Sequence, residues 1–278
     1  MARRRTGATS WVVLAVLALG AGACGRDGGA AGPGLRGTAS AAGAASATGA
    51  APSAGGTSEA AGIRFLERTT GGAEASERLP LVVAIHGLGD RPESFGRLFD
   101  GFSGRARIVV PYGTAPHGNG FSWFPLARLD PEALAEGTER AAHRLAALIE
   151  ELERTRPTSG KPIVTGFSQG GMLSFTIAVL HPERVGEALP VSGLLAPRLR
   201  PSSWPAGKAK PTIHAFHGDA DTVVPFEPAR DSVEALKKAG LPADLSTYPG
   251  VGHTVSAKMR EDVFAALKAA IERTSQGH

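Results

Sequence analysis

Ser168 stands in the segment GFSQGGMLSFTIAVL, directly after the apolar run KPIVTGF and at the head of an apolar stretch long enough for a helix. A serine at a strand-to-helix turn, with Gly166 and Gly170 two positions either side, has the form of a nucleophile elbow. Side chains at the flanking positions would crowd so tight a turn, and the hydroxyl is presented at a helix N-terminus whose N–H groups favour developing negative charge. In a chain with 37 glycines the pattern GxSxG carries little weight alone. Its weight comes from the strand before it and the helix after it, the other role for the residue being a capping serine at an ordinary turn. A hydroxyl is a weak nucleophile at neutral pH, so it needs a general base, and the base needs an orienting carboxylate. Downstream, TIHAFHGDADTVVP ends a strand-like run with Asp219 and Asp221, and YPGVGHTVS presents His253 in a glycine-rich loop before the last helical stretch. Of the eight histidines only His253 follows both aspartates and precedes that helix. His278 is the last residue, His181 before Pro182 reads as a cation at a helix C-terminus, and His214 and His217 share one strand without the acidic partners of a metal site. Pattern alone leaves Asp219 and Asp221 both open as the orienting acid.

The elements that must position these groups are visible as six short apolar runs: LPLVVAIHG, RIVVPYG, KPIVTGFS, EALPVSG, PTIHAFHG and ADLSTYPG. Near-continuous rather than alternating apolar runs suit strands buried on both faces of a parallel sheet. Between them lie amphipathic stretches, the clearest over residues 131–154, where Leu134, Ala141, Leu145, Leu148 and Leu152 share a helical face. Asp130 reads as its N-cap and Pro131 as its first residue. Further helices are expected over 228–239 and 256–271. This alternation implies an α/β domain with a mostly parallel central sheet and helices on both faces, and in such a sheet active groups gather at the carboxyl ends of the strands.

The N-terminus is of a different kind. Arg3, Arg4 and Arg5 precede the apolar run WVVLAVLALGAGA, which is shorter than the roughly 20 residues needed to span a bilayer and reads as an export signal over residues 1–23. The sole cysteine, Cys24, follows it in the context AGAC, which resembles a bacterial lipoprotein signal with Ala21 where such signals usually carry Leu. Lipidation of Cys24 would anchor the chain to a membrane; the other reading is an incidental cysteine in a secretory signal. Residues 24–61 are almost wholly Gly, Ala, Ser, Thr and Pro and read as a tether, leaving 62–278 as the folded domain. Removing residues 1–23 removes three arginines and no acidic residue, which takes the formal charge from +4 to +1. No concentrated basic surface remains to bind nucleic acid. No GxGxxG, Walker A or zinc-protease pattern occurs, so no nucleotide cofactor or metal is expected.

Four blocks in order, HGLGD (86–90), GFSQGG (166–171), HGDADTVVP (217–225) and GVGH (250–253), resemble those of the acyl-protein thioesterase and carboxylesterase/phospholipase family of α/β-hydrolases. The resemblance spans about residues 79–253. It implies the α/β-hydrolase fold and makes Asp221, the second aspartate of its block, the acid, with Asp219 left to bind nearby backbone. The oxyanion donors would be the N–H of Gln169, the residue after the nucleophile, and by resemblance that of Leu88. His86 would shape the loop. Trp123 and Phe124 resemble a stretch near the family's acyl pocket, where Asp often stands in place of Pro125; a plug in the core is the other role for the pair. The expected activity is that of an exported serine hydrolase cleaving carboxylic esters or thioesters of small-molecule or lipid-like acids. A polyester depolymerase or aryl esterase of the same fold, or a tethered binding protein on an inactive hydrolase fold, are the alternatives.

Overall fold

The computed structural model describes residues 57–125 and 130–276. The export signal, Cys24 and most of the tether lie outside the described residues. Ten strands follow in chain order: β1 (Thr57–Ala60), β2 (Ile63–Thr69), β3 (Leu81–Ile85), β4 (Arg107–Pro111), β5 (Ala115–His117), β6 (Gly120–Ser122), β7 (Ile163–Phe167), β8 (Glu187–Val191), β9 (Thr212–Gly218) and β10 (Ala243–Tyr248). The α-helices are α1 (Pro92–Phe95), α2 (Pro131–Thr155), α3 (Gln169–Leu180), α4 (Phe226–Ala239) and α5 (Ala257–Gln276).

The six apolar runs of the sequence are β3, β4, β7, β8, β9 and β10, and neighbours among them pair in parallel. The sheet order is β1-β2-β4-β3-β7-β8-β9-β10, with β1 and β2 antiparallel at one edge. All five residues of β3 are buried, and they divide by strand periodicity. Leu81, Val83 and Ile85 pack with α2, α3 and α4 in one cluster, while Val82 and Ala84 pack with α5 in the other. A strand covered on both faces favours apolar side chains at every position, which is why β3 reads as an unbroken apolar run.

Helix α2 begins where its cap was expected. The Asp130 carboxylate accepts the Glu132 N–H at 3.2 Å, with Pro131 at the first helical position, and Leu134, Ala141, Leu145, Leu148 and Leu152 are all buried. Strand β1 lies inside the segment assigned to the tether, pairing Thr57–Ala60 with residues 63–66 of β2 through a turn at Ala61 and Gly62. TSEA has no apolar periodicity, and β2 supplies the ladder that makes it a strand. The hairpin of β5 and β6, which the sequence also left unassigned, lies across the loop that follows β3.

Candidate active site

Strand β7 passes into α3 through Ser168, whose backbone adopts φ 57° and ψ −115°. L-residues rarely hold this conformation, and a serine kept there is over-determined by its surroundings. Its N–H donates to the Val191 carbonyl on β8 and its own carbonyl accepts the Met172 N–H. The flanking glycines answer to space rather than to φ. A Cβ on Gly170 would lie 1.9 Å from the Ile85 carbonyl oxygen, one on Gly166 2.6 Å from the same oxygen, and one on Gly171 2.5 Å from that of Val191. Glycine at these positions lets α3 sit directly on the strand tips and carries Ser168 above the sheet.

The imidazole and the carboxylate expected to serve as base and acid come from the loops after β10 and β9. These strands are in register to their ends, Tyr248 opposite Gly218, so both loops leave the sheet side by side. A Cβ on Gly218 would stand 2.0 Å from the Val251 carbonyl oxygen, so this glycine admits the second loop. His253 Nε2 is then 3.0 Å from Ser168 Oγ and His253 Nδ1 is 2.7 Å from Asp221 Oδ2. An ionised carboxylate only accepts, so Nδ1 carries the proton and Nε2 is free to take one from the serine hydroxyl. The other carboxylate oxygen, Oδ1, accepts the N–H groups of Val223 and Val224, each at 2.9 Å. Burial alone would push the Asp221 carboxyl up. The hydrogen bonds from His253, Val224 and Val223, together with attraction to the His253 charge, outweigh it and hold Asp221 below the usual carboxylate range. Asp219 Oδ1 accepts the Gly250 N–H at 2.7 Å and braces the histidine loop. The two aspartates that the sequence pattern left open thus have different contacts, and only Asp221 faces the imidazole. The Phe167 ring lies against that imidazole with centroids 4.8 Å apart.

The loop after β3 closes the other side. Gly87 is packed so near Ser168 that a Cβ on it would touch the serine Cβ at 3.4 Å. The loop is held by His86, which is fully buried: Nδ1–H donates to the Gly87 carbonyl at 2.7 Å and Nε2 accepts the Gly113 N–H at 3.1 Å. A single neutral tautomer satisfies both, and burial holds His86 below the usual imidazole range. Gly89 N–H donates to Phe121 and Phe121 N–H to Asp90, which ties β6 to the loop. Among the described residues the Leu88 N–H has no acceptor. The Gln169 N–H belongs to the first turn of α3, where no intrahelical acceptor exists. Both are available to an oxyanion beside Ser168.

The Gln169 side chain was not legible in the sequence. It is buried, its Oε1 accepting the Trp123 N–H at 3.1 Å and its Nε2 donating to the Phe124 carbonyl at 3.0 Å. Trp123 and Phe124 are 4% and 3% exposed and belong to the core, where Trp123 Nε1 donates to the His86 carbonyl and Phe124 packs on Gly137 of α2. Of the two roles considered for this pair, lining a pocket and plugging the core, the contacts are those of the plug. A tall amide at position 169 therefore locks the β6 segment, and the segment locks the loop that carries Leu88.

Ser192, at the tip of β8, has φ +47° and a buried hydroxyl with no hydrogen-bond partner, while its N–H donates to Phe216 on β9. Adjacent strand tips thus both carry a serine in left-handed backbone. His214 pairs with Asp244 and with Ser246 Oγ on β10. His181 ends α3 as expected and bonds His143 of α2 at 2.8 Å; burial and the His143 charge lower its affinity for a proton against the pull of Glu183, which works against a dipole-capping cation there.

A family model described as phospholipase/carboxylesterase matches residues 72–271. Acyl-protein thioesterase 1 of Gibberella zeae is 26% identical over 70% of this chain and 92% of its own length. A probable inactive carboxylesterase of Oryza sativa subsp. japonica is 27% identical over 65% of this chain and 82% of its own. The crystal structure of esterase PE8 aligns with a TM-score of 0.61 at 28% identity, covering 73% of this chain and 99% of that one.

Proposed function

This chain belongs to the phospholipase/carboxylesterase family of α/β-hydrolases, and from that premise we propose that it is an exported serine hydrolase cleaving carboxylic esters, thioesters included, through an acyl-enzyme. The observation that carries the reading is the unbroken relay from Asp221 through His253 to Ser168, with contacts of 2.7 and 3.0 Å. In the proposed reaction Ser168 Oγ attacks the acyl carbonyl while its proton passes to His253 Nε2, and Asp221 stabilises the imidazolium so formed. The oxyanion is met by the N–H groups of Leu88 and Gln169, donors of a kind worth about 3–4 kcal/mol each in the transition state. His253 then gives its proton to the leaving oxygen or sulfur. Water, deprotonated by the same imidazole, attacks the acyl-serine and regenerates the enzyme.

A fluorophosphonate reports the relay directly, because only an activated serine displaces its fluoride. One adduct per chain is expected on the peptide containing Ser168, alongside turnover of a short-chain ester. Folded protein that neither reacts nor turns over would instead be a binding protein on an inactive hydrolase fold.

Export and anchoring rest on Arg3, Arg4 and Arg5, the short apolar run after them, and Cys24 with its tether. On this reading the substrate is met outside the cytosol, which favours environmental or cell-surface esters over cytosolic acyl-proteins. Expressed with its own N-terminus in a bacterium that lipidates exported proteins, the chain should enter the detergent phase and Cys24→Ser should leave it. Equal partitioning of the two would remove the anchor from the proposal.

A further inference from the structure

His217 is buried at the penultimate position of β9 and takes no proton in the relay above. Its Nε2–H donates to the Val224 carbonyl at 2.8 Å and stands 3.5 Å from Asp221 Oδ2, the oxygen that holds His253. The same Val224 residue donates its N–H to Asp221 Oδ1. His217 therefore grips the far end of the loop that leaves β9, with Asp221 between the two anchors. The Phe226 ring meets the imidazole edge-on, with centroids 6.1 Å apart.

We propose that His217 is a positioning residue for the reaction, acting through Asp221: it fixes the Val224 peptide, keeps the two N–H donors on Oδ1, and presents an N–H dipole to Oδ2 so that the carboxylate stays aimed at His253. The inference rests on the reading of Ser168, His253 and Asp221 given above. Its electrostatics are consistent. Burial holds His217 below the usual imidazole range, against the opposing pull of the Val224 carbonyl and Asp221, and the nearby His253 charge lowers it further. Asp221 and His253 are the titratable groups acting on it. A neutral His217 donates to the carboxylate side without competing as a second cation when His253 becomes imidazolium.

Two replacements separate the hydrogen bond from the bulk. In His217→Phe the ring space stays filled and the donor is lost, whereas in His217→Gln an amide nitrogen can take the place of Nε2. Loss of orientation of a reacting group costs up to about 100-fold, so His217→Phe is expected to lower kcat about 10- to 100-fold with KM within about twofold. The acid limb of kcat/KM should move to lower pH, because a loosely held carboxylate stabilises the His253 imidazolium less. His217→Gln should restore kcat to within about fivefold of wild type. In an Asp221→Asn background His217→Phe should cost nothing further, since its route to the serine is already cut. Wild-type kcat in His217→Phe, or an equal cost with and without the Asp221 carboxylate, overturns the proposal, as does an equal kcat loss in the Phe and Gln variants that only follows their melting temperatures. Ser168→Ala is assayed beside them. If it is inactive while His217→Phe is unimpaired, the positioning role alone fails; if it hydrolyses ester at the wild-type rate, the reading of the site fails and the role of His217 with it.

Discussion

Ser168→Ala is expected to lower kcat for a short-chain ester about 10⁶-fold, the scale of losing a serine nucleophile from an intact relay. Its effect on stability should be small, because among the described residues the hydroxyl has one partner, His253 Nε2, and does not cap α3. The His253 side chain is 17% exposed, so water can satisfy Nε2 when Oγ is gone. Alanine meets the same left-handed backbone at φ 57° that serine already tolerates. A variant with unchanged melting temperature and about 10⁶-fold lower kcat therefore isolates chemistry from folding. Residual hydrolysis above the solvent rate should survive, since the Leu88 and Gln169 N–H groups would still bind the oxyanion formed by direct attack of water. A loss of less than about tenfold would mean that the ester is cleaved elsewhere.

The parts legible in the sequence are those where one residue type answers to one physical demand. Strands β3, β7 and β8 read as apolar runs because both faces are covered, and Asp130 with Pro131 marks the start of α2 because few residues suit those two positions. Ser168 and His253 could be singled out from chain order around the strand ends. Asp221 rested on resemblance, yet a local signal existed. An aspartate whose carboxylate takes the N–H groups two and three residues on, as Asp221 takes those of Val223 and Val224, forms an Asx-type turn that fixes its own rotamer.

What was hidden depends on contacts far apart in the chain. Gln169 was legible only as a backbone donor, because its amide finds Trp123 and Phe124 some forty-five residues away. β1 is polar and borrows its conformation from β2. The strain at Ser192 has no sequence signature, since serine is unremarkable beside a glycine and its φ is set by the tips of β8 and β9. The side chains of the proposed relay are few and readable, while those that hold them still are scattered over β6, β8, β9 and the loop after β3.

Asp221→Asn tests that division most sharply and is expected to lower kcat about 10⁴-fold with the fold retained. The carboxylate accepts on both oxygens: Oδ1 from two backbone N–H groups and Oδ2 from His253 Nδ1. An amide offers one acceptor and one NH₂ donor. Its oxygen will stay with the two N–H groups, which cannot rotate away, so the NH₂ faces His253. The imidazole must then accept at Nδ1 and carry its proton on Nε2, where it can no longer receive one from Ser168. The same substitution removes a pH-dependent part of stability. A carboxyl held below its usual range contributes stability that is fully present above the unfolded-state value and lost as pH falls through the folded-state value. Acid unfolding followed by circular dichroism should therefore steepen below the ordinary carboxylate range in the wild type more than in Asp221→Asn. Asp219→Asn is the control, since its exposed side chain accepts a single N–H from Gly250 and an amide oxygen can still do so; kcat should change by no more than about twofold. Comparable losses in the two variants would place the acid in the loop as a whole rather than in the one carboxylate that touches His253.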